Sequence, residues 1–139
     1  MQKYKLYLEI DKKFNYNIQV QNACDVVDFL CNDLKLINEC EEVLELLCLD
    51  SKNNVIGVFE VARGTLNQCE TSPREIFKRA ITCNANSIIL AHNHPSGNNE
   101  PSKQDIIMNN QIKKCSTILN INFLDHLIVS NSGYHSMND

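Results

Sequence analysis

The sequence has no excess of basic charge. Thirteen Lys and Arg stand against 17 Asp and Glu over 139 residues, a net charge of −4 with the four histidines neutral. A protein that binds nucleic acid on its own usually presents a basic face, so this balance argues against that class, although a local basic patch is compatible with it. No run approaches the ~18 apolar residues of a membrane span. The opening M-Q-K-Y-K-L-Y-L-E-I-D has neither an apolar core segment nor a small-residue cleavage site. There is also no C-x-x-C pair. The seven cysteines (Cys24, Cys31, Cys40, Cys48, Cys69, Cys83, Cys115) are odd in number, and several sit inside apolar periodic runs. Buried free thiols in a reducing compartment fit that usage better than a disulfide framework. The expectation is a cytoplasmic protein with no membrane segment.

Hydrophobic residues make up 43% and charged residues 22%, an ordinary globular balance, and the length suits one domain with a single sizeable core. No internal repeat, low-complexity tract or linker divides the chain, so one domain over 1–139 is expected. Tyr4 to Ile10 and Ile18 to Gln21 read as two short strands. From Asn22 the period becomes helical, with Ala23, Val26, Val27, Leu30, Leu34 and Ile37 on one side, Asn22 as cap and Asp25 at the third position. That helix is predicted to end near Asn38. Val43 to Leu49 and Val55 to Ala62 read as a hairpin across the turn formers Asp50 to Asn54.

Ser72-Pro73-Arg74-Glu75 predicts a helix start with a capping box, and Ile76, Phe77, Ala80 and Ile81 form its inner face. A strand over Ser87 to Ala91 follows. The next helix opens at Ser102, with Ile107, Gln111, Ile112, Cys115, Ile118 and Leu119 inward and Lys113 and Lys114 outward near its last turns. Ile121 to Leu124 and His126 to Ser130 read as strands, Asn131-Ser132-Gly133 as a turn, and Tyr134 to Met137 as a closing strand. Strands interleaved with helices imply an α/β fold, a mixed sheet covered on both faces.

The chemistry concentrates between Ser87 and Asp105, S-I-I-L-A-H-N-H-P-S-G-N-N-E-P-S-K-Q-D. Residues two apart on an extended backbone share a face, so His92 and His94 can aim both rings at one point. Asp105 can return a carboxylate to that point from the following helix. Two neutral imidazoles and one carboxylate leave a fourth tetrahedral position for water, the layout of a catalytic rather than a structural zinc. Each ring's second nitrogen should meet a carboxylate or a backbone carbonyl that holds its tautomer. Ser102 and Asp105 also form S-x-x-D, a helix-capping pattern, and a helix start suits an ionised carboxylate.

His92-x-His94, seven residues, Ser102, two residues, Asp105 resembles the JAMM (MPN+) metalloprotease signature without a gap. The wording H-N-H-P-S-G with P-S-x-x-D is similar to the bacterial RadC-like branch of that group. Gly64-Thr65-Leu66, Pro73-Arg74-Glu75, Asn84-Ala85-Asn86 and Leu124-Asp125-His126 support the resemblance, which spans roughly Glu41 to Ser136. It implies a three-layer α/β/α domain of the JAB/MPN type, whose general architecture zinc deaminases share. The core would lie at about 41–136, behind the N-terminal strands and helix of 1–40. It also implies one Zn²⁺ per chain on His92, His94 and Asp105, and a Ser102 hydroxyl that donates to the oxyanion of a tetrahedral intermediate.

Glu39, Glu41, Glu42, Glu45 and Glu60 are all candidates for the base by composition. The resemblance places the glutamate just before the apolar strand that ends in Leu47-Cys48-Leu49-Asp50, which selects Glu42, with Glu41 next. The implied function is a metal-dependent peptidase or isopeptidase in which Glu42 takes a proton from water and returns it to the leaving amine. The protein or peptide substrate and the oligomeric state are not indicated.

RadC-type proteins also carry a DNA-repair label, and a non-catalytic metal-binding module in such complexes is the alternative. The region before the metal domain does not read as the helix-hairpin-helix-like segment of longer relatives. A zinc deaminase would need His-x-Glu and P-C-x-x-C, both missing. The contiguous H-N-H letters do not make the spread ββα-metal unit of a nuclease. Asn93, pointing away from the histidines, is expected to support the strand edge, and Asp125-His126 to serve structure at a strand start. His135 carries no functional expectation.

Overall fold

The computed structural model describes residues 1–64 and 71–138. Thr65, Leu66 and Cys69, named above, lie outside the described residues. Five strands, β1 (Val43–Leu49), β2 (Val55–Arg63), β3 (Ser87–Asn93), β4 (Asn122–Ser130) and β5 (Gly133–Ser136), form one sheet in the order β2-β1-β3-β4-β5. All neighbours are antiparallel except β3 and β4, which run parallel across the connection through a helix. That helix is α3 (Lys103–Leu119); α1 (Ala23–Asn32) and α2 (Pro73–Thr82) are the others.

Alternation along β1 and β3 sorts the core into two layers. Val43, Leu47, Leu49, Ile89 and Ala91 pack with Val26, Phe29 and Leu30 of α1 on one face. Leu44, Leu46, Cys48, Ile88 and Leu90 pack with Ile76, Phe77 and Ala80 of α2 and Ile112 of α3 on the other. Every residue of β1 and β3 is buried, as strands covered on both faces must be. The expected α/β/α arrangement with a mixed sheet is what the chain adopts.

Local signals decide most boundaries. Asn22 caps α1 by accepting from Cys24 N (2.9 Å), while Asp25 returns its carboxylate to Asn22 N (3.1 Å). The helix stops at Asn32, six residues before the predicted end. Lys35 turns left-handed at φ 53°, and a short 3-10 turn over Leu36–Asn38 buries Leu36 instead. The N-terminal strands do not form. Tyr4, Leu6 and Ile10 are exposed, and among the described residues the only pairing before Val43 is an isolated bridge, Gln19 to Asn54. Two short strands with no further partner bury too little to hold together in water.

In α2, Ser72 sits at the cap with Pro73 in the first turn, but the predicted capping box is absent. The Ser72 side chain makes no capping bond, and Glu75 pairs with Lys78 (2.7 Å) and Arg79 (3.1 Å). Ile81 is exposed rather than buried. In α3, Ile112 and Cys115 pack inward as expected, joined by Asp105, Asn109 and Ser116, but Ile107, Gln111, Ile118 and Leu119 are exposed, against expectation. Once Asp105 faces the sheet, the 3.6-residue period turns Ile107 and Ile118 outward; Leu119 is the last residue of the helix.

The two strands predicted after α3 are one, β4, with an irregularity. Phe123 stands opposite Ile88 and Asp125 opposite Ile89, so Leu124 is an extra residue in the ladder. The six described cysteines are free, but only Cys48 is buried; Cys24 and Cys40 are exposed.

Candidate metal centre

His92 lies at the end of β3, opposite Leu44 and therefore on the face covered by α2 and α3. His94 follows one step past the strand, with its backbone N–H held by Val129 O (3.0 Å). A turn closes behind it, Gly97 N–H to His94 O at 3.0 Å, and needs φ +86° at Gly97, which glycine adopts freely. Ser130 and Ser132 tie this loop to the sheet, their hydroxyls 3.1 and 2.5 Å from Gly97 O.

Across the cleft, Ser102 caps α3. Its hydroxyl oxygen accepts Asp105 N–H (3.1 Å), while Asp105 Oδ2 accepts Ser102 N–H (2.8 Å). The capping box and the predicted site are therefore the same residues. The box orients Asp105 so that its carboxylate meets both histidines, Oδ1 towards His92 and the capping Oδ2 towards His94.

The donor atoms converge closely. His92 Nε2 and His94 Nε2 are 3.0 Å apart; Asp105 Oδ1 is 3.4 Å from the first and Asp105 Oδ2 3.3 Å from the second. Donors about 2.0–2.2 Å from a tetrahedral cation lie roughly 3.3–3.6 Å from one another. The three groups can therefore hold a metal ion with little rearrangement, and they are the only such cluster among the described residues. Asp105 is 3% exposed. Burial alone would raise its carboxyl, but hydrogen bonding to His92 and His94, the charge of His92 and the Ser102 N–H outweigh burial and hold it well below the usual carboxylate range. His94 is raised, by Asp105 first and against its burial, with the Asn98 carbonyl and the charge of Glu42 adding.

The second nitrogens of the rings have unlike partners. His94 Nδ1 faces Asn98 O at 2.6 Å, a backbone carbonyl as expected. His92 Nδ1 instead faces His126 Nε2 at 2.8 Å, an imidazole where a carboxylate or carbonyl was expected. His126 was read above as structural; it is fully buried and in direct contact with the triad. Deep burial, then the neighbouring His92, depress its pKa well below the ordinary histidine value and keep the ring neutral. Nothing in D-H at a strand start reveals this contact, because it depends on the extra residue in β4. In an unbroken ladder, with Leu124 opposite Ile89, His126 would stand opposite Ala91 and face α1; because Leu124 is skipped, His126 stands opposite Leu90 on the histidine face.

The glutamates separate clearly. Glu39 and Glu60 are bonded to Arg63 (2.8 and 2.5 Å), and Glu41 is exposed with Arg63 at 4.0 Å. Glu45, opposite Ala91, points to the α1 face, away from the histidines. Glu42 is half-buried, and its charge reaches His94. Its backbone is clamped from β3. Asn93, on the opposite face from the two histidines, accepts Val43 N–H (2.7 Å) and donates to Glu41 O (2.9 Å), so one buried amide grips the chain on both sides of Glu42. Asn93 thus does more than support the strand edge, because the clamped chain carries Glu42, whose charge acts on His94.

Residues 20–139 match the family model described as RadC-like JAB domain. A UPF0758 protein of Clostridium tetani is 40% identical over 95% of this chain and 59% of its own length. Those of Staphylococcus aureus and Clostridium beijerinckii are 42% and 39% identical, over 88% and 92% of this chain and 56% and 55% of theirs. The chain thus spans little more than half the length of these relatives.

Two outcomes follow from the packing. Asn93→Ala leaves the Val43 N–H and the Glu41 carbonyl without this partner, and is expected to lower stability by about 1–3 kcal/mol; an unchanged urea midpoint would count against the clamp. Glu45 is pushed up to about 7 by burial first and by Glu60 second. A carboxyl raised on folding contributes stability that is complete below its unfolded pKa and lost as pH rises through about 7. Wild type should therefore lose stability relative to Glu45→Gln as the pH of thermal melts rises from roughly 5 to roughly 8; parallel curves would refute the shift.

Proposed function

Because the chain belongs to the RadC-like JAB domain family, and its triad is built to hold a cation, we propose that it is a zinc-dependent hydrolase of amide bonds, a metallopeptidase or isopeptidase. The observation that carries this reading is the convergence of His92 Nε2, His94 Nε2 and Asp105 within 3.0–3.4 Å on a buried face. One Zn²⁺ per chain is held by those three residues. When bound, zinc supplies Lewis acidity that acidifies water and polarises a carbonyl.

The chain's own residues do the rest. Glu42 is the base: its carboxylate takes a proton from the attacking water and returns it to the leaving amine. The Asn93 clamp holds it beside His94. Ser102 uses one lone pair to cap α3 and keeps its O–H hydrogen to donate to the developing oxyanion. Asp105, held ionised, needs no deprotonation before a cation binds. The substrate is a protein or peptide.

We read 1–139 as one such domain with its core at about 41–136, in a reducing cytoplasm that suits the free thiols. No helix among the described residues is long and apolar enough to cross a membrane.

Metal analysis of purified protein should find about one zinc per chain, lost in His92→Ala and in His94→Ala; wild type free of metal after zinc loading would end the proposal. In a peptide and isopeptide screen, Glu42→Gln should keep its zinc and lose about 10²–10⁴ in kcat. Undiminished turnover would remove Glu42 from the role. Zinc binding without turnover on any amide substrate would assign the non-catalytic module instead.

A further inference from the structure

We propose that His126 is a positioning residue for the cation: it determines which nitrogen of His92 carries the proton, and the two rings change tautomer together when the triad is loaded. The proposal rests on the metal-binding reading above and deepens it. The 2.8 Å contact between His92 Nδ1 and His126 Nε2, both rings fully buried, is its starting point. A hydrogen bond between two neutral imidazoles contains one proton, which belongs to one ring or the other.

The rest of the chain of contacts determines which. Asn98 O can only accept, so His94 Nδ1, 2.6 Å away, carries a proton. His92 Nε2 stands 3.4 Å from Asp105 Oδ1, and an ionised carboxylate can only accept. With no cation, that contact is attractive only if His92 Nε2 carries its proton. A neutral His92 then has a bare Nδ1, and His126 donates to it from Nε2.

A cation in the triad needs the His92 Nε2 lone pair. The His92 proton must then sit on Nδ1, and His126 must turn from donor to acceptor, its own proton on Nδ1. Each ring keeps one proton and moves it from Nε2 to Nδ1, so none is gained or lost. His126 Nδ1 has no protein partner among the described residues, so that end of the ring leaves the choice of tautomer to His92. A carboxylate in this place could only accept and would hold His92 in one form; a neutral imidazole serves both. The extra residue in β4 is the structural device that supplies it, since it alone turns His126 to this face.

The experiment is ¹⁵N NMR of the histidine rings in the full chain, metal-free and with one equivalent of Zn²⁺. The protonated nitrogen of both His92 and His126 should change from Nε2 to Nδ1 on loading. A His126 tautomer identical in the two samples overturns the proposal. Zn²⁺ affinity, measured by competition with a chromophoric chelator, provides a second arm. His126→Leu should bind about 10–100-fold more weakly, and His126→Gln, whose amide oxygen can accept from His92, should recover most of the loss. Folded His126→Leu with wild-type affinity also overturns it; if that variant does not fold, the wild-type spectra decide. Wild type that takes up no zinc defeats the metal reading itself, and this inference with it, whereas normal zinc uptake with an unmoved His126 defeats this inference alone.

Discussion

Two imidazole nitrogens 3.0 Å apart, each 3.3–3.4 Å from one oxygen of a buried carboxylate, set the constraint under which the rest of the fold is arranged. Such groups are costly to bury without partners, and the cost falls only when a proton or a cation is shared among them. The surroundings supply every other partner that the three residues need. The Ser102 N–H and hydroxyl hold Asp105, the Asn98 carbonyl holds His94, and His126 holds His92. A hydrogen-bonded surround of this kind fixes ring orientation and keeps the donor geometry in place before any ion arrives.

The same constraint explains features of the scaffold that packing alone would not produce. A helix that served only the core would turn Ile107 and Ile118 inward; α3 instead presents Asp105, Asn109 and Ser116 to the sheet, because Asp105 must reach the histidines. An uninterrupted β4 would face His126 towards α1, and one inserted residue reverses that. Asn93, between the two histidines in sequence, faces the other way and grips the chain on both sides of Glu42. Three consecutive residues at the end of β3 thus serve both faces: two bring rings to the cleft, and the one between fastens the start of β1 and the Glu41 carbonyl before it. The five acidic candidates are sorted by the same geometry. Arg63 engages Glu39 and Glu60, Glu45 is turned to the opposite layer, and Glu42 is left where its charge acts on His94.

The strands β1, β2 and β3, the capping boxes at Asn22 and Ser102, and the pairing of His92 and His94 with Asp105 were legible because each rests on local rules: period two, a cap three residues from its partner, two side chains on one side of an extended backbone. Where the reading failed, a distant residue made the decision. Tyr4 to Ile10 alternates like a strand, yet no sheet edge receives it. Ile81, Ile107 and Ile118 have helical spacing, but the inward side of a helix depends on what it meets, and in α3 that is the triad.

Composition, period and the H-x-H…S-x-x-D spacing by themselves determined the α/β class, the interleaved element order and the three groups that could hold a cation, since these depend on patterns within short stretches of the chain. The rotation of α3, the choice among the glutamates and the arrival of His126 behind His92 were decided only in three dimensions. Each depends on the register between elements 30 to 50 residues apart in the chain, such as His126 against His92 and Asn93 against Val43. Shifting that register by one residue exchanges the two faces of a strand while leaving the sequence pattern unchanged.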